Sequence, residues 1–222
     1  MRIGIQGGTF NPIHYGHLRG AEEVREALAL GQVRFIPSAE PPHKPGEDVA
    51  PAQDRLEMVR LAVAGHEGFA CDPIEVGRGG RSYTLDTLAA LAEGPCRGHE
   101  IYFIVGADAF SEIHTWHRAP ELLRRFHFAV TLRGSQQAED VIATLGRTLP
   151  PLDSSIRVAM AGEGRAKVAD SEWEIRFVPV THLDISATQI RRAIRSGGSA
   201  RYLLPREVEL FIIRRRLYRG NA

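Results

Sequence analysis

Two histidines stand three residues apart behind a pair of glycines, in Gly7-Gly8-Thr9-Phe10-Asn11-Pro12-Ile13-His14-Tyr15-Gly16-His17. Paired glycines at the end of a strand let the chain turn tightly and bring main-chain N–H groups against an anion. A helix beginning just beyond adds its positive amino end, which suits a phosphate. His14 and His17 can then converge on one pocket from the loop and the first helical turn. The pattern is neither G-x-G-x-x-G nor G-x-x-x-x-G-K-[ST], so neither the dinucleotide fingerprint nor the P-loop applies. Zinc is the rival chemistry, but no cysteine, aspartate or third histidine stands nearby at ligand spacing. The expected metal set is therefore none.

These residues need elements to hold them. Short apolar runs rich in Val, Ile and Phe predict buried strands over Arg2–Gln6, Val33–Pro37, Ile101–Val105 and Phe126–Leu132. Between them, apolar residues at helical spacing predict helices over Leu18–Leu30, Arg55–Ala64 and Thr84–Ala92. The alternation argues for an α/β fold, a parallel sheet with helices on both faces. Ligands of such sheets bind at the carboxyl ends of the strands, where the strand order reverses. Ser38–Ala52 carries four prolines and reads as a loop. Gly134–Glu172 is weakly patterned, with one short helix near Val141–Leu145. The last helices fall at Ala187–Arg195 and Pro205–Tyr218, and the whole 1–222 reads as a single domain.

Composition limits the function classes. The chain has 222 residues, 43% hydrophobic and 25% charged, as in an ordinary globular protein. Cys71 and Cys96 lie far apart and form no C-x-x-C pair, which suits a reducing cytoplasm. No signal peptide and no apolar stretch of spanning length are read, so no membrane is expected. Net charge is +1, yet the segment from Ser186 onward carries nine arginines against Glu207 and Glu209. A basic end can meet nucleic acid or a smaller polyphosphate. Its aromatics are few and do not alternate with the arginines, so nucleic acid is set aside.

A second segment, Ile185-Ser186-Ala187-Thr188-Gln189-Ile190-Arg191, lies about 170 residues after the first. The glycine–histidine segment resembles the H-x-G-H signature of the nucleotidyltransferase superfamily, and this one is similar to that superfamily's I-S-S-T-x-x-R. Between them stand Pro41-Pro42-His43-Lys44, Ser82-Tyr83-Thr84-Leu85-Asp86-Thr87-Leu88, Gly106-Ala107-Asp108-Ala109 and Trp116, with Tyr202-Leu203-Leu204-Pro205 after. The full set resembles the bacterial nicotinate-nucleotide adenylyltransferases over essentially the whole chain. Two positions depart from the family pattern: Asn11 where Asp is usual, and Ala187 where Ser is usual.

The resemblance implies a Rossmann-like, doubly wound parallel sheet at 1–185 and a small helical C-terminal portion at 186–222. It implies transfer of the adenylyl group of ATP to nicotinate mononucleotide, giving nicotinate adenine dinucleotide and pyrophosphate, with Mg²⁺ delivered on ATP. It implies catalytic roles for His14, His17, Lys44 and Arg191. ATP would be held by Gly7, Gly8, Thr9, Phe10, His14, His17, Gly106, Asp108, Ile185, Ser186, Thr188 and Arg191. The mononucleotide would be held by Lys44, Thr84, Asp108 and Trp116, the indole stacking on the pyridine ring. Asn11 is expected to shape the turn, Trp173 to pack and Asp86 to stabilise its own helix. The expected state is a monomer or homodimer. Rival readings are a nicotinamide-preferring or dual-specificity enzyme, a pantetheine-phosphate adenylyltransferase, a nucleotide sensor and an Arg-rich nucleic-acid module.

Overall fold

The computed structural model describes residues 1–41 and 49–219. In chain order its elements are β1 (Arg2–Gly8), α1 (Tyr15–Ala27), β2 (Gln32–Pro37), α2 (Ala52–Val63), β3 (Phe69–Cys71), α3 (Ile74–Arg78), α4 (Thr84–Glu93), β4 (Glu100–Gly106) and α5 (Ala107–Ser111). There follow α6 (Ala119–Leu123), β5 (His127–Leu132), α7 (Ala138–Thr148), β6 (Val158–Gly162), β7 (Arg165–Val168), β8 (Glu174–Pro179), α8 (Ala187–Arg195) and α9 (Arg206–Arg215).

All strands join one sheet in the order β3-β2-β1-β4-β5-β8-β7-β6. The pairs from β3 through β8 are parallel, while β8–β7 and β7–β6 are antiparallel. The chain winds outward from β1 to β3, then returns to place β4 on the other side of β1. The order reverses there, so a crevice opens past Gly7-Gly8 and Gly106.

β4 shows why both faces are covered. Ile101, Phe103 and Val105 enter one apolar cluster with Leu88, Phe110 and Leu122, while Tyr102 and Ile104 enter a second with Val24, Val59 and Ile190. Successive side chains of a strand point to opposite faces, and here both are dry. The C-terminal helices share the second cluster through Ile190, Val208 and Ile212. That packing fixes the second signature against the first.

Several boundaries and one region correct the sequence expectations. α1 begins at Tyr15 rather than Leu18, because His14 takes the extended N-cap conformation. α2 begins at Ala52, directly after an extended Pro51, so Ala52 leaves the expected loop. The weakly patterned Gly134–Glu172 holds an eleven-residue helix, α7, and the β6–β7 hairpin, so the sheet is mixed rather than parallel throughout. β6 packs Val158 and Met160 half-buried against the core, but alanines hold its exposed positions, so the sequence shows no apolar–polar alternation to mark the strand. β3 and β8 are further strands, three and six residues long. Trp173 packs edge-on to His127 at 4.7 Å. Asp86 is exposed in the first turn of α4.

Candidate active site

The glycines leave β1 in register with β2, Gly7 opposite Ile36 and Gly8 opposite Pro37. A Cβ on Gly8 would meet the Phe10 ring at 3.1 Å, so the turn closes only without one. Phe10 itself sits at φ 46, a left-handed conformation that is strained for a bulky residue. Its ring is buried against Phe35 and meets the His17 imidazole edge-on at 5.2 Å. Packing holds the strained residue, and the ring in turn props His17.

His14 and His17 stack with ring centroids 3.7 Å apart and planes 28° from parallel. The His14 main-chain N–H donates to His17 Nδ1 at 3.3 Å. An accepting Nδ1 leaves the proton of a neutral His17 on Nε2. Gly16 makes room for the stack, since a Cβ there would stand 3.1 Å from the His14 ring. His14 is only 6% exposed, and its buried Nδ1 has no hydrogen-bond partner. Burial, aided by the charge of Arg133, lowers its pKa to about 4. His14 is therefore neutral at pH 7, a donor or acceptor but not a cation.

The second signature is tied to the first by two residues. Arg191 Nη1 donates to the Asn11 carbonyl at 2.9 Å, and its Nη2 reaches Thr188 Oγ1 at 3.4 Å. Its Nε is buried without a partner. The Tyr218 hydroxyl donates to Asn11 Oδ1 at 2.7 Å, and the Ala50 N–H donates to the same oxygen at 3.1 Å. Asn11 thus pins the turn from both its carbonyls, as expected of a shaping residue. Ser186 caps α8: Gln189 N–H donates to its Oγ at 3.2 Å, and Ser186 N–H donates to Gln189 Oε1 at 3.1 Å. Its hydroxyl proton is left free to donate. Ser186 and Thr188 are exposed, Ile185 half-buried, and the Ile185 carbonyl lies 3.7 Å from where a Gly16 Cβ would be.

Two clefts meet at the crevice. The smaller, about 280 Å³, is lined by Gly16, His17, Gly20, Gly106, Thr131 and Arg133. The larger, about 670 Å³, is lined by Thr9, Ser38, Glu75, Tyr83, Thr84 and His117 among others. Gly7, Phe103, Ala109 and Trp116 line both. Trp116 is half-buried, edge-on to Phe103 at 6.0 Å, so its indole is both packed and open to the clefts. Thr84 is the first residue of α4, whose N-cap Tyr83 supplies no side-chain bond to the first N–H groups. The first N–H groups of a helix lack an intrahelical partner and carry its positive end. Asp108 is exposed, and its Oδ1 accepts from Gln136 Nε2 at 2.8 Å. Lys44 lies outside the described residues. Among the described residues, no three His, Cys, Asp or Glu side chains group as a metal site.

Three site residues were missed in the sequence reading. Arg133, at the carboxyl end of β5, brings a cation into the smaller cleft; its place just after an apolar run was the available signal. Arg55 is 1% exposed: its Nε donates to Ala50 O at 2.9 Å, Nη1 to Thr9 O at 2.8 Å and Nη2 to Ala39 O at 2.9 Å. One guanidinium thereby joins the glycine turn to both flanks of residues 42–48. Glu75, in α3, is a buried acid in the larger cleft. No sequence signal marks Arg55 or Glu75, since their partners are distant in the chain.

A family model described as cytidylyltransferase-like matches residues 5–193. A protein of Pelobacter propionicus named "Probable nicotinate-nucleotide adenylyltransferase" is 40% identical over 218 residues, covering 98% of each chain. One of the same name from Desulfatibacillum aliphaticivorans is 42% identical over 98% of this chain and 100% of its own. The Plasmodium falciparum nicotinic acid mononucleotide adenylyltransferase complexed with NaAD superposes with a TM-score of 0.72, at 16% identity, covering 98% of this chain and 97% of that one. That likeness shares the fold. With the two signatures joined through Arg191 and Asn11, the chain belongs to the nicotinate-nucleotide adenylyltransferase family of cytidylyltransferase-like proteins.

Proposed function

We propose that this chain transfers the adenylyl group of ATP to nicotinate mononucleotide, releasing nicotinate adenine dinucleotide and pyrophosphate. The observation that carries the reading is the pair of clefts joined at Gly7 and Trp116, with His17 and Arg133 in one and Thr84 in the other. A dinucleotide needs two nucleotide-sized spaces that meet at its bridging phosphates, and this crevice has that form.

The attacking 5′-phosphate is already an anion at neutral pH, so no residue need remove a proton. Its oxygen attacks the α-phosphorus in line with the departing pyrophosphate, and the protein contributes alignment and compensation of charge. In this reading His17 Nε2–H donates to the α-phosphate, an alignment supported by the bond that fixes its tautomer. His14, neutral and half of the stack, holds His17 and offers its own ring to the phosphates. Gly7 lines the junction, and Gly8 and Thr9 line the larger cleft beside it. Arg191, Ser186 and Thr188 receive the departing pyrophosphate at the amino end of α8. Mg²⁺ delivered with ATP would be held by the nucleotide's own phosphate oxygens and water and would offset phosphate charge. Lys44 would add a cation to the same phosphates.

In the larger cleft, the uncapped amino end of α4 at Thr84 favours a carboxylate over a carboxamide. Trp116 offers a face to the pyridinium ring, a cation–π partner. Among the described residues no helix is long and apolar enough to cross a membrane. Cys71 and Cys96 are both free thiols, which supports a cytoplasmic setting. The test is dinucleotide formation with ATP and Mg²⁺, run against nicotinate and nicotinamide mononucleotides in parallel. We expect kcat/KM to favour the nicotinate form by about 10²-fold, with turnover lost on chelating Mg²⁺. Equal rates with both acceptors would remove the carboxylate pocket from the account.

A further inference from the structure

Glu75 has no part in the transfer as derived, yet it is held from two sides inside the larger cleft. It is 6% exposed, and Thr87 Oγ1 stands 2.6 Å from its Oε1. That hydroxyl oxygen already accepts from Arg78 Nη2 at 3.1 Å, so its one proton points to the carboxylate. Ser82 is arranged the same way. Its Oγ accepts from the Ala39 N–H at 3.0 Å, and its hydroxyl acts as a donor that lowers the Glu75 pKa. Burial pushes the Glu75 pKa up on balance, and two hydroxyl donors at the one carboxyl pull against it. The charge of Arg55 acts in the same direction.

Ser82 and Thr87 bracket Tyr83 and Thr84, the residues that open α4. On the far side, Ala39 is bonded through its carbonyl to Arg55, which also holds Thr9 of the glycine turn. A continuous polar chain therefore runs Thr9–Arg55–Ala39–Ser82–Glu75–Thr87, from the phosphate turn to the amino end of α4.

We propose that Glu75 is a positioning residue for mononucleotide recognition: by accepting from both Ser82 and Thr87 it fixes the amino end of α4 at a set distance from the glycine turn. The carboxylate and the 5′-phosphate of one substrate are then gripped at the spacing transfer requires. The inference rests on the larger cleft taking nicotinate mononucleotide. Glu75 does not touch the reacting atoms.

The experiment is steady-state kinetics of E75Q with each substrate varied in turn. The amide keeps the size of the side chain but turns N–H groups toward a hydroxyl whose proton is already directed at it, so one link breaks. KM for the mononucleotide should rise about tenfold, the effect of one lost hydrogen bond to a charged group, while KM for ATP stays within about twofold. S82A should give the same split. The double variant should be no worse than the poorer single one, because both break one chain. A folded E75Q with an unchanged mononucleotide KM, or with both KM values raised alike, overturns the proposal. If E75Q fails to fold, S82A decides by the same criterion. Wild-type turnover in the same assay judges the functional reading separately.

Discussion

Replacing Arg55 by methionine removes three hydrogen bonds and one buried charge while leaving the aliphatic stem in place. The guanidinium holds the carbonyls of Ala50, Thr9 and Ala39 at 2.9, 2.8 and 2.9 Å. The bond to Ala50 is fully buried, so its carbonyl would be left without water. Those to Thr9 and Ala39 are partly buried, and water can re-enter there at lower cost. An orphaned buried acceptor costs about 1–3 kcal/mol, and bonds to charged groups lie toward the upper end. Against this stands relief of the desolvation that pushes the Arg55 pKa down. The net expectation is a loss of about 3 kcal/mol, with a Tm lower by about 6–12 °C for a chain of this size. Because Thr9 and Ala39 separate in the same step, kcat/KM should also fall, by about tenfold or more. Arg55→Lys, with its charge on a thinner stem, should land between the two. Thermal unfolding followed by circular dichroism, with kinetics on the same samples, measures both. An R55M protein that melts within about 2 °C of wild type would refute the idea that this guanidinium joins the turn to the flanks of residues 42–48.

Other consequences are equally direct. His17→Ala should lower kcat by about 10²-fold or more with little change in Tm, since a donor to developing charge is lost; a near-normal kcat removes His17 from the mechanism. Trp116→Ala should raise KM for the mononucleotide far more than for ATP, whereas a lower Tm with unchanged KM would make the indole a packing residue only. His14, with a pKa of about 4 folded against 6.5 unfolded, lets the unfolded chain bind the extra proton between those values. Stability is therefore complete above about pH 6.5 and falls as pH is lowered toward 4, by about 3 kcal/mol in all. Burial lowers the pKa of His127 too, which adds to the same window. Denaturant melts across pH 4–7 on wild type and His14→Gln should show a flatter profile for the variant, and parallel profiles would show that His14 is not the source.

What could be read without coordinates was whatever depended on local pattern. The four strands with continuous apolar runs all formed, and α8 spans the predicted Ala187–Arg195 because Ser186 and Gln189 write its cap into the sequence. The two signatures were legible as segments of the sequence, but the link between them was not. Arg191 meets a main-chain carbonyl of Asn11, 180 residues away, and any residue type could supply that carbonyl. Arg55 failed for the same reason: an arginine beside Leu56 and Val59 reads as the wet edge of an amphipathic helix, whereas its three acceptors come from the glycine turn and both ends of the β2–α2 loop. Glu75 lay in a stretch too short for a period to emerge. The β6–β7 hairpin was invisible because alanines hold the exposed positions of β6, while β8, with Ile175 and Phe177 buried alternately, had a readable pattern.

The central claim is that the α-phosphorus of ATP passes to the mononucleotide, and the fate of labelled phosphate tests it most directly. The protein would be given nicotinate mononucleotide, Mg²⁺ and ATP labelled at either the α- or the γ-phosphate. All transferred α-label should appear in the dinucleotide, with an equal amount of γ-label in pyrophosphate. Label from the γ-position on the acceptor, or adenosine diphosphate among the products, would contradict it.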